Sequence, residues 1–293
     1  MTGILLVDKE QDWTSSDVVS KLRGVLHERR IGHAGTLDPL ATGLLIVLLG
    51  RATRASDYAM AHCKEYVALM RTGLITDTQD ITGTAIGGNP RDISTGELNA
   101  ALKKFTGNIS QIPPMYSAIK VSGKKLYEIA RSGREVERSS RNITVDSIEY
   151  LGKSGEDFKL RIKCSAGTYI RTLCHDIGTE LGCGACMSGL RRTSIGNYSV
   201  NNAHTIAQIE EAMNSGRIDE MIIPVDSLFA DCPAYYASLV EEKKIRNGNS
   251  FPLEANDGLL RVYSPSEEFL MLGRVRNNTL FTEKSFFEPL RIQ

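Results

Sequence analysis

A single carboxylate, Asp38, stands in a glycine-rich stretch that leads into an apolar run. Three glycines lie within six residues of it, and Pro39 follows it directly. Glycine lets the backbone approach a ligand closely or adopt positive φ, and a proline favours an extended conformation in the residue before it. The apolar run at residues 44–49 is typical of a buried strand. The pattern predicts a shaped loop that presents one carboxylate, and a plain turn capped by the aspartate is the alternative.

The chemistry open to this loop depends on the carboxylate rather than on phosphate binding, because no Gly-Lys-Ser/Thr follows the glycines. A carboxylate in such a position can act as a nucleophile and hold a covalent intermediate. It must then stay ionised in a partly dry pocket, and a nearby guanidinium would favour that charged form. An aspartate-nucleophile hydrolase acting on small molecules would also fit.

The stretch around Asp38 reads GHAGTLDPLATG, and five further motifs accompany it along the chain. They are KEY at 64–66, TDTQDITG at 76–83, PPMYSAIK at 113–120, GTYIR at 167–171 and LGCGACMSGLRR at 181–192. Together they resemble the signature blocks of the TruB family of tRNA pseudouridine synthases, in the family's order and over most of the first two hundred residues. The chain is therefore identified as a member of this family from its sequence.

The resemblance implies an enzyme that isomerises uridine to pseudouridine at position 55 in the T loop of tRNA, without a cofactor or a metal. It assigns the catalytic role to Asp38 and makes Arg171 the arginine that pairs with it. Tyr66 matches the tyrosine that stacks on the target base and can take part in proton transfer. Whether the aspartate attacks the base ring, attacks the sugar or acts as a base in a glycal route stays open.

Three further positions match residues that contact the target nucleotide in the family. Tyr169 and the backbone around Leu190 match the lining of the uracil pocket, and His33 matches the loop histidine beside the nucleotide. Residue type alone would make Tyr169 half-buried packing and His33 a turn histidine bonded to the backbone. A stacked base must flip out to reach such a pocket, at a cost of roughly a few kcal/mol. The resemblance therefore predicts base flipping.

Residues 113–141 form a basic segment with interleaved tyrosines. Seven basic and three acidic side chains give it a local excess of positive charge. Such a run is usually a solvated face, but with aromatic residues it can also grip a phosphate backbone and stack on unpaired bases. The family carries an RNA-gripping insertion at this point. The predicted RNA contacts are Lys64, Lys120, Lys124, Lys125, Arg131 and Arg134.

Composition limits the remaining possibilities. With 35 basic and 35 acidic residues, the 293-residue chain has a formal net charge of +0, so RNA binding must rely on local patches. The N-terminal sequence does not have the pattern of a signal peptide, and no apolar stretch approaches the roughly 20 residues of a membrane span. We expect a cytoplasmic protein without membrane association. Cys183 and Cys186 form a lone CxxC pair that cannot complete a four-ligand zinc site, so reduced and mostly buried thiols are expected.

The elements that must position these residues can be predicted from periodicity and caps. Strands are expected at residues 3–7, 44–49, 66–71, 143–151 and 158–164. Helices are expected after N-caps at residues 14–16 and at Ser94, and from Ile170 to Leu181. Short strands are also predicted at residues 259–263, 269–275 and 279–281.

The family implies an α+β fold with a large mixed, mainly antiparallel sheet flanked by helices and loops. The predicted domains are a catalytic domain at residues 1–230, with the basic insertion at about 113–141, and a small PUA-like RNA-binding β module at residues 231–293. The transition is expected near residues 224–233.

Two other classes within RNA biology share these motifs. A guide-RNA-dependent pseudouridine synthase of the dyskerin type works in a ribonucleoprotein and usually carries a fuller PUA domain. A non-enzymatic RNA-binding or RNA-folding protein could use the same scaffold, although Asp38, Tyr66 and Arg171 are all present. The compact C-terminal module favours a stand-alone enzyme that binds the T stem-loop of tRNA as a monomer, with no guide RNA.

Overall fold

The computed structural model describes residues 1–117, 119–121, 123–131 and 133–288. Its helices are α1 Ser15–Leu26, α2 Ser56–Ala61, α3 Thr95–Lys104, α4 Leu126–Arg131, α5 Ile170–Glu180, α6 Ile206–Asn214 and α7 Leu239–Arg246. Its strands are β1 Gly3–Lys9, β2 Ile31–Ala34, β3 Thr42–Leu49, β4 Lys64–Thr72, β5 Ile75–Thr76, β6 Ala85–Gly87, β7 Gly107–Gln111, β8 Lys120–Val121, β9 Lys124–Lys125, β10 Arg141–Ser154, β11 Asp157–Cys164, β12 Ala185–Ile195, β13 Tyr198–Ser199, β14 Ala234–Tyr236, β15 Phe251–Pro252, β16 Gly258–Tyr263, β17 Phe269–Arg276 and β18 Thr279–Ser285.

Helix α1 begins where the local sequence predicts it. Thr14 is the N-cap and forms a capping box with Asp17, in which the Thr14 hydroxyl accepts the Asp17 N–H. A capping box satisfies two backbone donors that the helix cannot pair by itself. The buried face carries Val18, Leu22 and Leu26, which pack on one side of β1 and β3. The helix therefore covers the sheet beside the predicted catalytic loop.

The main sheet runs in the order β1-β3-β12-β4-β11-β10-β7, with β2 paired to β3 and β13 paired to β12. Strand β12 runs parallel to β3, and the other described pairings in this sheet are antiparallel. Strand β4 lies between β11 and β12, so that Tyr66 is opposite Ile162 on one side and Arg192 on the other. The sheet thereby brings together residues far apart in sequence.

Hairpin β10–β11 is longer than the sequence predicts. A turn is expected at residues 152–157, but β10 continues to Ser154 and β11 begins at Asp157, so that only residues 155–156 form the turn. Buried and exposed residues alternate along β11, with Leu160 and Ile162 facing the core. That alternation is the pattern of a strand buried on one face only.

The C-terminal sheet runs in the order β14-β16-β17-β18-β15 and contains each of the three predicted strands. It packs against the β1–β3 side of the main sheet through an aromatic group. The Phe229 ring lies 5.2 Å from Tyr58, 6.2 Å from Phe269 and 6.0 Å from Phe286, measured between ring centroids. Leu272 and Phe286 belong to the same buried cluster as core residues of β1 and β3.

Two predictions need correction. The stretch before Asp38 was predicted as loop, but Ile31–Ala34 is strand β2, because its backbone pairs with the far end of β3. No strand is predicted before Arg192, whereas β12 extends from Ala185 to Ile195 and links β3 to β4.

All six cysteines carry free thiols, and four of them are buried, which confirms the expectation of mostly buried cysteines. Within the described ranges, no helix combines the length and the apolar composition needed to cross a membrane.

Candidate active site

The loop between β2 and β3 carries Asp38, and it is fixed on both sides of this residue. Before Asp38, the Leu37 N–H donates to the Ser15 hydroxyl at 2.9 Å. After it, the Ala41 N–H donates to the Asp38 carbonyl at 3.0 Å, closing a tight turn. The Pro39 carbonyl accepts from the Asp12 N–H at 2.9 Å. The Asp38 side chain is therefore presented by a backbone tied to α1 and to the end of β1.

A buried arginine closes the base of this loop. Arg192 donates from Nε to the Leu44 carbonyl at 2.7 Å and from Nη2 to the Gly35 carbonyl at 2.9 Å. Strand β12 runs so close to β3 that a Cβ at Gly43 would lie 2.3 Å from the Arg192 carbonyl oxygen. Gly43 also has a φ of 98°. Only glycine fits there. The third glycine around Asp38 thus serves strand contact rather than substrate approach.

Arg171 meets Asp38 at the front of the loop. Its Nε lies 2.9 Å from Asp38 Oδ2, and its Nη2 lies 3.3 Å from Asp38 Oδ1. The Arg171 side chain is 6% exposed and that of Asp38 is 39% exposed. Two parallel contacts of this kind fix the orientation of a carboxylate as well as its charge. Arg171 is therefore the buried member of the pair, and Asp38 faces the solvent.

The other donors of Arg171 reach two further segments. Nη1 donates to the Thr78 carbonyl at 3.1 Å and Nη2 to the Tyr116 carbonyl at 2.8 Å. Nη1 also lies 3.7 Å from Asp80 Oδ2. One side chain thus connects the Asp38 loop, the TDTQDITG segment and the start of the basic insertion.

Asp80 is the residue around which the TDTQDITG segment folds. Its Oδ1 accepts from the hydroxyls of Thr78 and Thr82 and from the Thr82 N–H. Its backbone carbonyl accepts from the Thr76 hydroxyl at 2.6 Å. These bonds hold a nearly buried carboxylate beside Arg171, so the guanidinium lies between two negative charges.

Tyr66 lies on the inner face of β4, beneath the Asp38 loop. Its ring belongs to the same buried cluster as Leu37, and Leu190 packs against that cluster from β12. Burial raises the pKa of the Tyr66 phenol, and the positive charge of Arg192 offsets part of that rise. A neutral phenol is therefore the form present near neutral pH. The structure thus brings Tyr66, Leu190 and the loop of Asp38 to one place.

Tyr169 is the N-cap of α5, two residues before Arg171, so one helix start carries both residues. Its ring is half-buried. His33 lies on β2, five residues before Asp38, and its Nδ1 is buried with no hydrogen-bond partner in the described part of the chain. Burial, with a smaller contribution from Arg192, lowers the pKa of His33 and keeps the ring neutral.

Two family sequence models match most of this chain. The sequence model of the TruB family pseudouridylate synthase N-terminal domain matches residues 23–170, and that of the tRNA pseudouridylate synthase B C-terminal domain matches residues 171–230. The chain belongs to the TruB family. The predicted family is thereby confirmed, and the chain is an enzyme, an isomerase that converts uridine to pseudouridine.

Curated relatives of this TruB family member extend over nearly the whole chain. A protein of Citrobacter koseri named tRNA pseudouridine synthase B is 40% identical over 288 residues, covering 93% of this chain and 91% of the relative. A protein of the same name from Francisella tularensis subsp. novicida is 37% identical and covers 100% of this chain and 97% of the relative. The similarity therefore includes the C-terminal module.

Among solved structures, a Cbf5-Nop10-Gar1 complex contains a chain similar to this TruB family member. The TM-score is 0.75 at 27% identity, with 97% of this chain and 85% of the other chain covered. The predicted α+β pseudouridine synthase fold, with its large sheet and its C-terminal β module, is confirmed by this likeness.

The predicted RNA contacts of this TruB family member fall into three groups. Lys64 is buried and donates to the carbonyls of Met60 and His62 at 2.6 and 2.7 Å, so its ammonium group holds main chain rather than facing RNA. Arg134 is exposed on the insertion. The side chains of Lys120, Lys124, Lys125 and Arg131 lie outside the described part of the structure, and their contacts stay predictions.

Sequence reasoning missed two residues that shape the site. Asp80 lies in the TDTQDITG block, for which the family resemblance gave no residue a role. Arg192 closed the family's last block without a role. An aspartate between three threonines is a signal for a hydrogen-bonded turn, and it could have pointed to Asp80. Nothing local distinguishes Arg192 from its neighbour Arg191.

Proposed function

We propose that this protein isomerises uridine to pseudouridine at position 55 in the T loop of tRNA, with Asp38 as the catalytic carboxylate. The observation that carries the proposal is the ion pair between Asp38 and the buried Arg171. A carboxylate held by two contacts of this kind is fixed in orientation, as a nucleophile requires. The shared name of the bacterial relatives, tRNA pseudouridine synthase B, supports tRNA as the substrate.

The reaction breaks the bond between uracil N1 and ribose C1′ and forms a bond between uracil C5 and C1′. The proton on C5 is lost and N1 gains one, so the product is an isomer and no oxidant or water is consumed. Asp38 acts on the flipped nucleotide, either as the nucleophile that forms a covalent intermediate or as a base. Its partial exposure leaves it reachable while Arg171 holds it from the core side.

The surrounding residues suit the binding of a flipped uracil. Tyr66 presents a neutral aromatic ring on which the base can stack, and its protonated phenol can take part in hydrogen bonding. Tyr169 and the backbone near Leu190 line the pocket, and the neutral ring of His33 on β2 lies beside the flipped nucleotide. Flipping exposes the base edges to these groups at the cost of its stacking.

Recognition of the rest of the tRNA rests on shape and local charge, because the whole chain is neutral. We assign the grip on the T stem-loop to the basic insertion at about 113–141. In this proposal residues 1–230 are the catalytic domain and residues 231–293 a PUA-like RNA-binding module. The family division at residue 170 falls inside the main sheet, since α5 and β12 complete the site from beyond it. The protein acts as a cytoplasmic monomer.

A second candidate function is guide-dependent modification. The observation in its favour is the likeness to the chain in the Cbf5-Nop10-Gar1 complex. The higher identity to the bacterial relatives, across nearly their full length, favours the stand-alone enzyme.

The deciding experiment uses purified protein and an unmodified tRNA transcript, with neither cofactor nor guide RNA. Pseudouridine is mapped by carbodiimide modification and primer extension. A single stop at the T-loop uridine is the expected result. A second transcript with that uridine replaced by cytidine serves as the control, and it should give no stop. Tight tRNA binding without product would instead support the guide-dependent or RNA-folding function, and a stop elsewhere would overturn the T-loop assignment.

A further inference from the structure

The basic insertion leaves and re-enters the main sheet at one pair of residues. Gln111 ends β7 and Arg141 begins β10, and the two are directly opposite each other in the β7–β10 ladder. Residues opposite each other in an antiparallel ladder are neighbours, so a displacement of the insertion would move the ends of both strands together.

Both polar atoms of the Gln111 side chain form hydrogen bonds with the Tyr169 backbone. It is 1% exposed, its Oε1 accepts from the Tyr169 N–H at 2.8 Å and its Nε2 donates to the Tyr169 carbonyl at 3.1 Å. The same carbonyl accepts from the Leu173 N–H at 3.0 Å, in the first turn of α5. Gln111 therefore fixes the backbone at the start of the helix that also carries Arg171.

Arg141 contacts the side chain of Tyr169. Its guanidinium carbon lies 5.2 Å from the centre of the Tyr169 ring, a cation–π contact. Gly167 leaves room for it, since a Cβ there would come within 3.3 Å of Arg141 Nη1. Gln111 thus binds the backbone of Tyr169, and Arg141 contacts its ring.

The insertion also touches the arginine that holds Asp38. The Tyr116 carbonyl, near the start of the insertion, accepts from Arg171 Nη2. Arg138, near its end, donates to the Pro113 carbonyl at 3.1 Å and closes its base. A displacement of the insertion would consequently reach both Tyr169 and Arg171.

We propose that Gln111 and Arg141 are positioning residues that couple the grip of the insertion on RNA to Tyr169, and so align the uracil pocket. The inference rests on the proposed function, in which Tyr169 lines that pocket. In this proposal Arg141 acts through the Tyr169 ring and affects the rate at saturating tRNA. A direct contact with phosphate would instead affect Kd and its salt dependence.

The test begins with Arg141→Met, with Arg141→Lys as the conservative variant and Arg161→Met as the matched control. Arg161 is an exposed arginine on β11 that pairs with Glu149. We measure the single-turnover rate at saturating tRNA and the Kd for tRNA at several salt concentrations. Arg141→Met should lower the rate by about tenfold with Kd and its salt dependence unchanged, and the lysine variant should recover part of that loss.

A phosphate contact would instead raise Kd and reduce the salt slope by about one, with the saturated rate unchanged. That result would overturn the proposal, as would a rate equal to that of the Arg161→Met control. Gln111→Met, which loses both bonds to Tyr169, should lower the rate further in the same direction. Absence of product from the wild-type protein would contradict the proposed function itself, and so the two failures are distinguishable.

Transmission from the insertion is tested by a double-mutant cycle. The pair Lys124→Gln and Lys125→Gln weakens the grip, and the saturated rate is compared in the wild-type and Arg141→Met backgrounds. If Arg141 transmits the grip, the lysine substitutions slow the wild type but have little further effect once Arg141 is gone. Independent, multiplicative losses would overturn the coupling. A Tyr169→Leu background, in which Arg141→Met should have no further effect, checks that the ring is the target.

Discussion

Two buried arginines hold the loop of Asp38, and they do so by different means. Arg171, at the front, lies between the carboxylates of Asp38 and Asp80. Arg192, at the back, is 1% exposed and donates to main-chain carbonyls at both ends of the loop. The first balances charge at the proposed catalytic carboxylate, and the second fixes the backbone. The difference separates the residues expected to control rate from those expected to control stability.

Two lysines share the arrangement of Arg192. Lys9 donates to the carbonyls of Glu10 and Trp13 at 2.8 and 2.7 Å, and Lys64 donates to two carbonyls in the same way. Burial lowers the pKa of each lysine to about 8, with the charge of Asp38 partly opposing the effect at Lys9. Within the described ranges, none of these three cations lies within 4.0 Å of a carboxylate oxygen. Backbone carbonyls are therefore the main acceptors for the cations on the core side of the loop.

The largest effect is expected from the carboxylate itself. Asp38→Asn keeps the shape of the side chain but removes the charge that Arg171 holds, so isomerisation should be abolished. Binding of tRNA should stay within about threefold, because the change leaves the proposed RNA-binding insertion intact. Mapping of pseudouridine and a tRNA binding titration measure the two quantities. Retained turnover would show that Asp38 is not the catalytic carboxylate.

The next effect is expected at the front arginine. Arg171→Met leaves two carboxylates without their common cation, and the single-turnover rate should fall by about 100-fold or more. Arg171→Lys keeps a charge but cannot reproduce the planar set of donors, so it should recover only part of the rate. Because Asp38 is half open to water and Asp80 keeps its threonine bonds, the free energy of unfolding should change less than in the back-arginine variant. A larger loss of stability than of rate would remove the distinction between the two arginines.

The back arginine should show the opposite balance. Arg192→Met leaves the carbonyls of Gly35 and Leu44 without their buried donor, and the free energy of unfolding should fall by about 2–4 kcal/mol. Arg191→Met is the matched control: its side chain is 43% exposed and pairs with Asp8, and such pairs contribute about 1 kcal/mol or less. Urea unfolding measures both variants. Equal losses would mean that the two carbonyl contacts do not stabilise the loop.

The contrast between Arg191 and Arg192 also shows where sequence reasoning ends. Adjacent residues of a strand point to opposite faces, so one of the pair must be inside. Which one depends on the register of β12 with β3 and β4, and the pairing with β4 is shifted by irregularities on both sides of the pair. Register is a long-range property that no local pattern contains.

Local signals predicted what depends on local energetics. The N-cap candidates at residues 14–16 indicated the start of α1, and Thr14 is its observed N-cap. Strand β2 was missed because its four residues include a glycine and its pairing partner comes later in the chain. The pairing of Asp38 with Arg171, 133 residues away, came from the family resemblance, since spacing alone could not indicate it.

The smallest predicted effect tests whether the core-side cations are held in their charged form. The pKa of Lys64 is about 8 in the folded protein against an ordinary 10.5, so between these values the unfolded chain binds more protons and stability rises with pH. Relative to Lys64→Met, the wild-type free energy of unfolding should rise by about 1–2 kcal/mol from pH 8 to pH 9.5. Lys159→Met, an exposed lysine on β11, should show no such trend. If the difference in free energy of unfolding between the wild type and Lys64→Met does not change with pH, the carbonyl partners of Lys64 compensate fully for the burial of its charge.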